Sequence, residues 1–170
     1  ANGDIDSPEK ARAVLDAKSL SFDPSLPTLD AVRVTLRLDQ RGLVIEPLEG
    51  RLAGGAVRLV AQLVPPAPDG TLTLTGTVRG ASLESLLRTS GAKQTFPGTA
   101  NLDVNIAWPL AQGRTIDVVT GTAVLVASDV VLPAWKALGD DATRLDRIDA
   151  TLRMDKPPWT LDGVRASGPT

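Results

Sequence analysis

Leu29-Asp30-Ala31-Val32-Arg33-Val34-Thr35-Leu36-Arg37-Leu38-Asp39 is the stretch whose reading decides the fold. From Ala31 to Asp39, Val32, Val34, Leu36 and Leu38 alternate with Arg33, Thr35, Arg37 and Asp39, and a period of two residues marks a strand over Ala31 to Asp39 with one wet and one buried face. The pattern recurs along the chain. Leu72, Leu74 and Val78 alternate with Thr71, Thr73, Thr75, Thr77 and Arg79; Leu102, Val104, Ile106 and Trp108 alternate with Asn101, Asp103 and Asn105. Further strands are expected over Ser19 to Phe22, Leu43 to Glu46, Val57 to Val64, Arg114 to Ala127, Ile148 to Met154 and Thr160 to Arg165. Turn signals separate them: Gln40-Arg41-Gly42, Pro47, Ala53-Gly54-Gly55, the run Pro65 to Gly70, Pro97-Gly98 and Gln112-Gly113, with Gly121 as a bend inside a long strand. Gly42 suits a tight hairpin that needs a positive φ.

Helices are few. Ser7-Pro8-Glu9 reads as a helix start, with Ser7 as N-cap and Pro8 in the first turn, and Ala11, Val14, Leu15 and Lys18 follow at helical spacing. Ser82 to Leu87 predicts a second, short capped helix ending before Gly91, and Pro133 to Asp141 is a connecting segment with helical character. The expectation is a mainly β domain with two or three short helices, too few to cover what the sheet exposes. An apolar sheet face must be buried against a second sheet, helices, a partner chain or a ligand. Leu29 to Asp39 and Leu145 to Asp155 also align without gaps, Val32 with Ile148 and Leu38 with Met154. That spacing is longer than solenoid repeats, and amphipathic strands resemble one another by chance.

Composition removes several function classes. The 170 residues carry a net charge of −2 and only 3% aromatics, so both the basic stripe and the stacking platforms of a nucleic-acid binder are missing. With no cysteine there is no disulfide framework or thiol chemistry. The longest uncharged, mainly apolar run, Val118 to Ser128, is about half of the ~20 residues a spanning helix needs, so no transmembrane segment is expected in this chain. Ala1 to Asp6 lacks the basic-then-apolar order of a signal peptide and reads as a processed or excised end, with any anchor outside the chain.

No catalytic residue is assigned. The absence of histidine removes Ser-His-Asp and Cys-His nucleophile systems and the histidine zinc motifs. A two-carboxylate glycan enzyme would draw on Asp140, Asp141, Asp146 and Asp149, yet the three Trp and two Phe give few rings to hold a sugar; solvated loop carboxylates are the simpler reading. Asn101, Asp103 and Asn105 imitate half a calcium loop, but Ile106 stands where its glycine belongs, so they are read as a wet strand face and no metal is expected. Gly54-Gly55 lacks the Lys-Ser/Thr of a phosphate loop. Trp108, Trp135 and Trp159 are read as core anchors rather than ligand contacts.

The aliphatic faces have two readings. In one, two sheets pack as a closed β-sandwich, a scaffold or protein-interaction module. In the other, one curved antiparallel sheet keeps its aliphatic side partly open as a groove for acyl chains, each buried CH₂ contributing ~0.8 kcal/mol. The groove lining is then Val32, Val34, Leu36, Leu38, Leu72, Leu74, Val78, Leu102, Val104 and Ile106, with phospholipid or another acyl-chain lipid as partner and no cofactor.

Particular phrases of the chain resemble the C-terminal region of the AsmA-like proteins of Gram-negative bacteria. They are Lys10-Ala11-Arg12-Ala13-Val14-Leu15-Asp16-Ala17, Leu29-Asp30-Ala31-Val32-Arg33-Val34-Thr35-Leu36, Leu43-Val44-Ile45-Glu46-Pro47-Leu48 and Leu52-Ala53-Gly54-Gly55-Ala56-Val57. Thr75 to Leu87 and Ile148 to Arg153 are similar to phrases of the same family. The resemblance implies a periplasmic protein tethered to the inner membrane, built on a long β-groove and linked to outer-membrane biogenesis and phospholipid movement. It implies envelope proteins as further partners and transfers no catalytic residue. On this reading, residues 1–170 are a single AsmA-like β domain or a fragment of a larger β-groove protein.

Overall fold

A computed structural model describes residues 11–21, 28–39, 42–64, 70–89, 92–109, 118–133, 143–155 and 160–168. Its strands are β1 (Ala11–Leu20), β2 (Leu29–Asp39), β3 (Gly42–Leu52), β4 (Gly55–Val64), β5 (Thr71–Ser82), β6 (Thr99–Pro109), β7 (Thr120–Leu132), β8 (Thr143–Met154) and β9 (Thr160–Ser167), with helix α1 (Leu83–Thr89) between β5 and β6. The strands form one antiparallel sheet in sequence order, each paired with its chain neighbours, and the sheet does not close on itself. This meander needs only short connections, and local pairing of this kind has low closure cost.

Among the described residues no second sheet is formed for a sandwich: all nine strands belong to one sheet. Alternation says that a face is apolar, not what lies against it. Among the described residues there is one helix rather than two or three. The first expected helix is strand β1. Its residues carry both periods at once, and nine Cα partners on β2, from Ala11↔Leu38 to Leu20↔Leu29, outweigh a narrow helical stripe. Ser7 to Lys10 and most of Pro133 to Asp141 lie outside the described residues, as do the Gln112-Gly113 turn and residues 114–117 of the seventh expected strand. That strand instead extends beyond Ala127 to Leu132.

β3 does not end at Pro47. Leu36 pairs with Ile45 and Val34 with Leu48, while Ile45 pairs with Ala61 and Leu48 with Leu59, so both neighbours skip Glu46-Pro47. The bulge places Pro47, which has no N–H to give, where the ladder is already interrupted. Gln40 and Arg41 of the first expected turn lie outside the described residues, while Gly42 has the positive φ expected there (117), and the expected turn at Ala53-Gly54 (φ 49 and 81) is present. β2 and β8, the two similar segments, occupy second and eighth places in a sheet that does not divide into units.

Helix α1 follows the expected cap. The Ser85 amide donates to the Ser82 hydroxyl at 3.2 Å, and Glu84 and Arg88 pair one turn apart. Leu83, Leu86 and Leu87 form its apolar stripe. They pack with Phe96 on Ala100, Ala127, Val130, Leu125 and Ile148, so the helix covers one end of the sheet face and no more. Ala81, Ala100 and Ala127 are almost wholly buried there, small side chains that let the helix lie close.

Candidate functional site

Strand register sorts the side chains into rows that cross the sheet. One row takes a residue from every strand: Leu15, Val34, Leu48, Leu59, Gly76, Val104, Ala123, Leu152 and Leu161. A second runs Ala13, Leu36, Ile45, Ala61, Leu74, Ile106, Gly121, Met154. A third runs Val57, Val78, Leu102, Leu125, Ala150. The row Leu38, Leu43, Leu63, Leu72, Trp108 lies at the end away from the helix. Directly paired residues share a face, so these rows are one continuous apolar surface. With strands ~4.8 Å apart, it extends roughly 38 Å across nine strands.

All ten expected groove residues fall on this face. Val32, Val34 and Val78 are buried, Leu38 is exposed, and Leu36, Leu72, Leu74, Leu102, Val104 and Ile106 are half-buried. The face also includes residues not singled out from the sequence, above all Leu48, Leu59, Leu125 and Leu152. Val57, Leu59, Ala61 and Leu63 alternate with Ala56, Arg58, Val60 and Gln62, a signal that points to β4 as a further lining strand. Leu48 was hidden by the bulge, which breaks the period of two. Above Gly76 the Leu59 side chain fills the missing volume: a Cβ there would come within 2.1 Å of Leu59 Cδ2.

At the two ends of the long row, Leu15 is 54% and Leu161 63% exposed, and Val164 on β9 is 56% exposed. Open depressions include residues of this face. One of about 630 Å³ lies where β2 slips register between Asp30 and Arg33 and is lined by Ala17 and Val32 together with Asp16, Lys18, Ala31, Arg33 and Glu49; another, of about 220 Å³, is lined by Gly76 and Val104 together with Thr75, Thr77, Asp103, Asn105, Thr122 and Val124. Among the described residues the apolar face is an extended surface that crosses all nine strands.

The opposite face is mixed, with Val14, Val44, Val60, Val124 and Val126 set among polar residues. Thr73, Thr75, Arg79, Asp103 and Asn105 are exposed on β5 and β6, and Arg79 pairs with Asp103. Asn101 accepts the Gly80 amide at 2.9 Å, and Thr75 donates to Asn105 at 3.4 Å. The three residues that imitate a calcium loop thus spend their oxygens on neighbouring strands, and no cluster fit to hold a metal occurs among the described residues. Arg33–Asp16 at 2.8 Å, Arg37–Glu46 at 3.3 Å and Arg153–Asp162 at 2.7 Å are further exposed cross-strand pairs, each worth little individually.

Of the carboxylates considered for glycan chemistry, Asp140 and Asp141 lie outside the described residues and Asp146 is exposed. Asp149 accepts two hydrogen bonds from Arg147, both at 2.7 Å. That hydrogen bonding holds its carboxyl below the usual carboxylate range, the opposite of the raised value a general acid needs. Arg147 is raised for the same reason, and Arg33 is raised by its hydrogen bond to Asp16.

The signs set the pH dependence of stability. A depressed carboxylate contributes stability above its unfolded pKa of about 3.9, and that contribution is lost as pH falls through the folded value. The raised arginines contribute below their ordinary range and lose it only in strong alkali. With no histidine in the chain, thermal melts followed by circular dichroism are expected to be nearly flat from about pH 5.5 to 8.5 and to drop below about pH 4. A steep change near neutrality would contradict the assignment of this face as simple solvated ion pairs.

No family model, curated protein or solved structure matches this chain. No helix among the described residues is long and apolar enough to cross a membrane.

Proposed function

We propose that this chain is a non-enzymatic part of a periplasmic envelope-biogenesis protein of the AsmA-like kind. Its sheet curls about the apolar face into a trough that holds lipid acyl chains, contributing to phospholipid transport or outer-membrane assembly. A segment outside this chain tethers it to the inner membrane. One observation carries the reading: an aliphatic surface crosses every strand of a single sheet, and among the described residues one seven-residue helix packs on it. Burial of Val34, Leu48, Val57 and Val78 on that face without a second sheet supports the curl. Acyl chains suit such a surface because they need water removed and no directional partner, and each buried CH₂ contributes ~0.8 kcal/mol.

Trp108 supplies the test. It sits in the row at the end away from the helix, beside Leu72. In a protein carrying Trp135→Phe and Trp159→Phe, phosphatidylglycerol with brominated acyl chains is expected to quench Trp108 fluorescence saturably, and the unbrominated lipid to leave it bright. Absence of saturable quenching rejects the lipid reading and favours a scaffold that binds protein.

A further inference from the structure

The two edges of the sheet are built differently. β9 is eight residues long, carries Gly163 at φ +62 and slips register against β8 between Asp149 and Thr151. A bulge of this kind turns an edge away from further pairing. β1 has no such protection: it contains neither glycine nor proline, and its pairing with β2 runs without a register shift. Val14 on this edge is 56% exposed, as is Leu15 at 54%. Arg12 has no ion-pair partner among the described residues, whereas Asp16 is held from one side by Arg33 Nε.

We propose that the β1 edge is a twofold interface between two copies of this chain, the β1 strands pairing antiparallel about Val14. With Val14 facing Val14, Arg12 of each copy lies opposite Asp16 of the other, giving the unpartnered guanidinium a carboxylate twice over. Ala13 lies opposite Leu15 on the apolar side. Sliding the strands to set Leu15 against Leu15 would bring Arg12 against Lys18, and like charges directly opposite are unfavourable. In the Val14 register residues 11 to 17 of β1 pair with one another, and Lys18 falls beyond that stretch, where a long side chain reaches water. The self-matching order of charge on β1 is what selects a second copy over an unrelated strand. Because the axis stands perpendicular to the sheet, both apolar faces lie on the same side and join into one surface.

The chain has no cysteine, so single introduced thiols report the register. Sedimentation equilibrium is expected to give twice the monomer mass. Under mild oxidation Val14→Cys becomes a disulfide-linked dimer, while Lys18→Cys and Val164→Cys do not. Val14→Lys, which sets two ammonium groups together at the axis, weakens the dimer by at least about tenfold. A chain that stays monomeric at its highest soluble concentration overturns the proposal. So does a dimer that Val14→Lys leaves intact, or one that cross-links through Val164→Cys instead of Val14→Cys.

Discussion

Val104→Asp is expected to abolish saturable binding of a fluorescent phospholipid while leaving the fold intact. Val104 is half-buried at the middle of the long apolar row, flanked by Gly76 on β5 and Ala123 on β7. Leu59 fills the space above Gly76, but Ala123 is small and Val104 keeps part of its surface in water, so a carboxylate there can stay hydrated in the free protein and folding tolerates the change. A bound acyl chain would strip that water. Burying a polar group without a partner costs about 1–3 kcal/mol by protein mutational data, and more for a charge, so affinity should fall by about a hundredfold or more. Thr122→Asp, one position along β7 from Ala123 and exposed on the opposite side, should bind as the parent does. If both variants bind equally well, acyl chains do not use this face.

Gly121→Val is expected to be the most destabilising single substitution in the sheet. Gly121 pairs with Ile106 and Met154, and its φ of +135 is a conformation that side-chain-bearing residues rarely adopt. A Cβ there would lie 2.1 Å from the Asn105 carbonyl oxygen and 2.8 Å from the Ile106 Cα. Both are backbone atoms and cannot swing aside, so β7 must leave β6 or bend away. Strain plus lost pairing places the cost above about 3 kcal/mol, a fall in melting temperature of roughly 6–12 °C or more. Gly54→Ala is the control: its φ is also positive, but nothing stands within 4 Å of the added carbon, so it should cost only about 1 kcal/mol. Equal losses for the two would mean that φ alone, and not the close approach of β6, fixes Gly121.

The strands were legible wherever period two was unbroken. β2 ends where its alternation does but starts at Leu29, two residues before Ala31, across a slip in register; β5 and β6 follow their alternations, and Ser82 marks the cap of α1. β1 was not, because Ala11, Val14, Leu15 and Lys18 at helical spacing overlie Ala11, Ala13, Leu15 and Ala17 at strand spacing. Pairing with β2 decides between them, and that is a tertiary fact. Proline hid the second half of β3, since a residue without an N–H normally ends a strand; the bulge at Glu46-Pro47 is what lets β3 continue. The candidate face was legible as a set of alternations, and register joined them into a surface. What no alternation contains is the topology, one sheet or two, because a face packed on a second sheet and a face left open require the same apolar residues.

The account rests on that openness, and thiol labelling at one position tests it most directly. In a chain with no native cysteine, Val104→Cys places the only thiol at the centre of the long apolar row. A small water-soluble maleimide is expected to label it in the folded protein without denaturant, and a tail-bearing phospholipid to protect it. A thiol that stays silent until the protein is unfolded would mean that the chain seals this face itself.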